Sequence, residues 1–145
     1  MNTGRCSSTF NSESPSRLLL AAAALLVLLA ASGCAPDATR AASVAQDFHL
    51  AIAASDWSAA CALLQPATRE KAAGQDGGSC ETGMESLHLP NAGALGVTKA
   101  YGREALVEFE GDTVFVAVSG SGWLVTAAGC TPRGESPYSC EVGGK

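Results

Sequence analysis

The side chains with chemistry to offer are six cysteines, two histidines and a thin spread of acids. A zinc site would need closely spaced thiol or imidazole pairs, and there is no Cys-x-x-Cys. His49 and His88 stand apart from every cysteine in sequence, so no metal is expected. The paired-thiol motif that tunes a redox thiolate is missing as well. Ser119 and Ser121 flank Gly120 in a turn and not in a Gly-x-Ser-x-Gly elbow, and Gly120 and Gly122 lead into a strand and not the helix a phosphate loop requires. Proton transfer at carbon needs a carboxylate facing a hydroxyl or an acid. Asp47, Asp56, Tyr101 and Tyr138 have the right types but stand in no motif. Asp56 reads better as a helix cap, and His49 falls on the polar side of a helix, where water would solvate it. The sequence therefore predicts no catalytic residue and no cofactor.

The cysteines sort by position. Leu18 to Ala31 is an uninterrupted run of fourteen apolar residues preceded by Arg5 and Arg17, the basic-then-apolar order of an export signal. As a helix it would reach about 21 Å, short of the roughly 30 Å hydrocarbon core of a bilayer. A core helix so apolar all round would need protein on every side. Small residues then lead to a cysteine in Leu29-Ala30-Ala31-Ser32-Gly33-Cys34.

That hexapeptide resembles the lipobox of bacterial lipoproteins, with Ala31 where leucine is commoner. The resemblance implies a diacylglycerol thioether on Cys34, removal of residues 1–33, and Cys34 as the first residue of the mature chain. Two acyl chains make a durable anchor, at about 0.8 kcal/mol per buried methylene. The membrane, reached through lipid on Cys34 at the extracytoplasmic face, is thus the expected address. Ordinary secretion with cleavage after Ala31 or Gly33 is the alternative, and Cys6 would be discarded in either case.

Four cysteines remain, and an even number in an exported domain reads as two disulfides. Of three connectivities, Cys61–Cys80 with Cys130–Cys140 closes the shortest local loops. From Cys34 onward seven lysines and arginines face thirteen aspartates and glutamates, a net charge of −6. The cations are scattered singly, so nucleic acid is not an expected partner, and anionic headgroups would not attract the domain.

Residues 34–39 read as a lipidated tether and 40–145 as one domain. Val44, Phe48 and Ile52 recur every four residues, which predicts an amphipathic helix over 40–55. Asp56 caps a second helix over 57–64 ended by Pro66, a further turn of helix covers 68–73, and a weak one 80–87. Beyond Pro90 the period falls to two. Strands are predicted over 96–101, 104–110, 113–119 and 123–128, with Ala105, Val107 and Phe109 on one face and Val114, Val116 and Val118 on another. Gly111-Asp112 is assigned to a hairpin turn, with glycine supplying a positive φ. The stretch 131–139 reads as a proline-containing loop closed by Cys140.

Helices before strands predict an α+β fold, helices packed on a curved antiparallel sheet. The order of Phe48 on a first helix, Asp56-Trp57 opening a second, Phe115 in a hairpin and Trp123-Leu124-Val125 entering a long strand is similar to nuclear transport factor 2-like, SnoaL-like cones over about residues 40–130. The resemblance implies a cavity, with Phe48, Trp57, Tyr101, Phe115 and Trp123 as candidate lining. It points to non-enzymatic binding of a small apolar ligand or an envelope protein. An isomerase-like or dehydratase-like enzyme using an acid near Tyr101, or a structural dimerisation module, are the alternatives.

Overall fold

The computed structural model describes residues 37–74 and 77–144. The expected export signal, the lipobox-like hexapeptide and the expected lipidation site at Cys34 lie outside the described residues. The architecture is α+β: four helices followed by a five-stranded antiparallel open sheet. No helix among the described residues is long and apolar enough to cross a membrane.

Helix α1 spans Ala38–Ala53. It begins two residues earlier than expected because Asp37, placed in the tether by the sequence reading, caps it by accepting from the Arg40 amide at 3.1 Å. Its buried face is built mainly of alanines, with Ala41, Ala45, Phe48 and Ala51 against the sheet and Val44 and Ile52 at the margins. Small side chains let the helix backbone lie close to the strands.

Helix α2 (Trp57–Leu63) is capped by Asp56, whose carboxylate accepts from the Ala59 amide. Pro66 does more than stop it, because it is the first residue of α3 (Pro66–Gly74), where its missing N–H costs nothing. Arg69 on α3 turns back and donates to the Cys61 and Ala62 carbonyls at 2.8 and 3.3 Å, satisfying the open end of α2. Helix α4 (Cys80–Ser86) returns against both, tied to α2 by the Cys61–Cys80 disulfide.

The strands are β1 (Leu95–Tyr101), β2 (Glu104–Phe109), β3 (Thr113–Ser119), β4 (Gly122–Arg133) and β5 (Ser136–Gly143), paired in sequence order. Alternation sorts them as the period-two pattern predicts. Ala105, Val107, Val114, Val116 and Val125 are buried beneath the helices with Phe48, Leu64 and Met84. The opposite face carries Leu106, Phe115 and Tyr138, the last two edge to face at 5.1 Å. It also carries the Lys99–Glu108 pair at 3.0 Å, whose hydrogen bond and charge hold Lys99 above the ordinary lysine range.

The sequence reading needs correction at the last two strands. The stretch assigned to a loop continues β4 as far as Arg133, reverses at Gly134-Glu135 and returns as β5. Its prolines do not interrupt the sheet, because Pro137 lies on an edge strand and Pro132 at a register shift, two places where a missing N–H breaks no ladder bond. Cys130 and Cys140 stand directly opposite each other in this ladder and are disulfide-bonded. Where β5 ends, the start of α3 takes over the exposed edge of β4, with the Gln65 amide donating to Val125 O at 2.8 Å and Thr68 Oγ1 to Thr126 O at 3.1 Å.

The two disulfides close loops of 19 and 10 residues. Loop entropy assigns each about 3 kcal/mol. Replacing either pair with alanine should lower the urea-unfolding free energy by about that amount, while a loss below about 1 kcal/mol for both would show that the helices and the hairpin hold themselves.

Candidate functional site

A cleft lies where the C-terminal half of α1 meets the segment 87–95 and the adjoining ends of β1 and β2. Its volume is about 690 Å³. Leu50, Ile52, Trp57, Leu87, Leu89, Leu95 and Phe109 supply most of its wall, while Gln46, His49, Glu85, His88 and Asn91 supply polar groups. Leu50 and Leu95 are 66% and 39% exposed, unusual for large aliphatic side chains.

His49 is the buried polar group of this cleft, at 8% exposure. The sequence predicts it solvated on the polar side of the helix, and the structure buries it instead. The buried arc of α1 is wider than the single stripe through Val44, Phe48 and Ile52, and it takes in the next helical row at Ala45 and His49. The imidazole packs edge to face on Phe109, ring centroids 4.8 Å apart. Its Nε2 stands 3.0 Å from Oδ2 of Asp112, a close polar contact without the alignment of a hydrogen bond.

Asp112 is the other half of the arrangement, and its side chain is wholly buried. Oδ1 accepts from the Cys130 amide at 2.8 Å and Oδ2 from the Gly129 amide at 3.1 Å. Neighbouring N–H groups of an extended strand point to opposite sides. At Gly129 a φ of 65° breaks that alternation, and both amides converge on one carboxylate. Asp112 is therefore an anchor of the fold and not merely a turn residue.

The turn itself differs from expectation. Gly111 does not use a positive φ. A side chain there would collide with the Asn91 carbonyl, because segment 91–94 lies directly against the turn. The Gly111 amide donates to Ala92 O at 2.9 Å and the Glu110 amide to Ala94 O at 3.0 Å. The cleft wall is thus laced to the turn that carries Asp112.

The five residues expected to line one cavity do not meet. Trp57 lines the cleft. Phe48 is fully buried in the core. Phe115 faces the opposite side of the sheet, by strand alternation. Tyr101 is 66% exposed at the far end of β1. Trp123 packs against the core and lines a smaller depression with Asp37, Arg40, Val44 and Val118. Among the described residues Asp112 is the one buried carboxylate, and Tyr101 sits at the other end of the β1–β2 hairpin. Both Asp112 oxygens are already engaged, and the acid that stands opposite Tyr101 in the β1–β2 ladder, Glu104, is exposed as Tyr101 is. Among the described residues no group of three or more metal-ligating side chains is assembled.

Comparison with protein-family models, with curated proteins and with solved structures gave no significant match. The functional reading therefore rests on the cleft itself.

Asp112→Ala would leave two buried amides without their acceptor and remove the polar contact of the imidazole, and should cost about 4 kcal/mol in urea unfolding. His49→Leu leaves both amide bonds in place and should cost less than half as much. Equal losses would mean that the imidazole contact, and not the amide pair, holds the carboxylate.

Proposed function

We propose that the domain is a non-enzymatic binder of a small apolar ligand carrying one polar group, held at the extracytoplasmic face of a membrane by lipid on Cys34. The observation that carries the binding half is the cleft, where partly exposed aliphatic side chains surround a few convergent polar groups. Single exposed leucines are ordinary, but apolar side chains gathered around one concavity mark an interaction site. A concave, mostly apolar site with a few placed polar groups is the usual form of a small-molecule pocket. His49 and His88 offer hydrogen bonds to a polar head, and the leucines offer a surface for its apolar body. A volume of about 690 Å³ suits a medium-sized amphiphile.

The lipobox at Cys34 supports the address, as do four further cysteines that pair, which fits an oxidising compartment. The nuclear transport factor 2-like assignment belongs to this proposal too, supported by the helices-then-strands order and by a cleft beside the sheet.

Trp57 reports on the cleft. In a Trp123→Phe background of residues 35–145, the unit that contains the whole core, a brominated medium-chain fatty acid should quench it saturably. Leu50→Asp, at an exposed position, should weaken that binding by at least about tenfold, or 1.4 kcal/mol. Quenching that never saturates, or that ignores Leu50→Asp, would refute the cleft as the site.

A further inference from the structure

Helix α1 separates two ends of the domain. Its sixteen residues span about 24 Å. The cleft lies at the C-terminal end, reached from Gln46 onward. At the N-terminal end Asp37, Arg40 and Val44 meet Val118, Gly122 and Trp123 from the hairpin between β3 and β4. The hairpin between β1 and β2 joins them, since the Val118 amide donates to Arg103 O at 2.8 Å and Arg103 Nη2 donates to Val118 O at 3.1 Å. Tyr101 projects from that hairpin, 66% exposed.

Cys34 precedes Asp37 by three residues, which can reach about 11 Å at full extension. An anchor on that thiol is therefore confined to the neighbourhood of the first turn of α1. It cannot bring the cleft end down to the bilayer while keeping this end away.

We propose that the end formed by the first turn of α1 and the two hairpins rests on the lipid headgroup region, leaving the cleft open on the side away from the bilayer. This rests on lipidation of Cys34. The occupant is a lipid surface because the covalent tether ends there, and because the side chains at this end are of the kind that settles at membrane interfaces. Trp123 and Tyr101 combine an apolar ring with a polar tip, while Arg40 and Arg103 combine an apolar stem with a cation. Asp37 and Glu104 offset the two cations, so charge neither drives nor forbids the approach. The short tether sets the orientation and the aromatic tips complete the contact. A ligand would then enter or leave the cleft on the aqueous side, suiting exchange with a soluble carrier or solute over direct extraction from the leaflet below.

The chain has two tryptophans, Trp57 and Trp123, one at each end, and they make the orientation measurable. The mature lipoprotein, purified from membranes and reconstituted into phosphatidylcholine vesicles carrying a headgroup-labelled quencher lipid, is compared as Trp57→Phe and Trp123→Phe variants. Intact mass first establishes whether Cys34 carries diacylglycerol. Trp123, alone in the Trp57→Phe protein, should be quenched at least about threefold more than Trp57, alone in the Trp123→Phe protein. Adding Leu50→Asp to the latter removes any quenching by lipid drawn into the cleft. An unmodified Cys34 overturns the address and the orientation together. A lipidated protein in which Trp57 is quenched as strongly as Trp123, or Trp123 is not quenched, overturns the orientation alone.

Discussion

A carboxylate taken fully out of water is tolerated only when its lone pairs are occupied, and Asp112 meets that condition with partners from two separate parts of the chain. Two consecutive amides of β4 bind its oxygens, and an imidazole from α1 leans on it. Directed hydrogen bonds join the β2–β3 turn to β4 here, with α1 meeting the joint through the close His49 contact. The start of α3 adds its own bonds to β4 at Val125 and Thr126, and the rest of the helix–sheet contact is nondirectional burial of alanines and valines. Register in β4 follows as well, because only the left-handed Gly129 lets both amides reach the same group. The next residue, Cys130, is fixed twice: its amide by Asp112 and its sulfur by Cys140.

The cleft inherits its shape from that constraint. His49 is held at the cleft floor by Asp112 and Phe109, and segment 91–94 is bonded to the turn beside them. The rest of the 87–95 wall is different. Outside the stretch bonded to the turn it has little regular backbone pairing and few buried side chains, so its local opening free energy should lie toward the low end of the range for the domain. A rigid floor beneath a looser wall is a workable arrangement for admitting an apolar ligand without unfolding the core.

Much of the fold was legible because burial imposes a period. Ala105 and Val107, then Val114 and Val116, alternate in sequence as they do in space, and β3 has the bounds the alternation predicts. Asp56 behaves as the cap that its place before Trp57 predicts, and both disulfides are the two shortest closures. The failures have a common cause, which is that local pattern does not contain tertiary context. Nothing near His49 in sequence states that an acid 63 positions later will receive it. Asp112 after a glycine looks like any turn residue, and the adjacent Gly129-Cys130 that binds it lies in another strand. A signal was present in the width of the α1 face, since Ala41, Ala45, Phe48, His49 and Ile52 form a broader arc than the valine-phenylalanine-isoleucine row. Strand β5 was missed because Pro132 and Pro137 were weighted as breakers without knowing which strand would be an edge. The expected lining failed on the same ground. The fold distributes the five large aromatics to the core, the opposite face of the sheet and both ends of the domain.

The central claim is that the carboxylate of Asp112 holds the Gly129 and Cys130 amides in the native state, and amide hydrogen exchange reads those two bonds individually. Both amides should exchange only through global unfolding, with the same free energy as the core amide of Val116. Exchange at the rate of the exposed turn amides of Gly102 and Gly120 would contradict the account, because the carboxylate would then not hold the β2–β3 turn to β4 in solution.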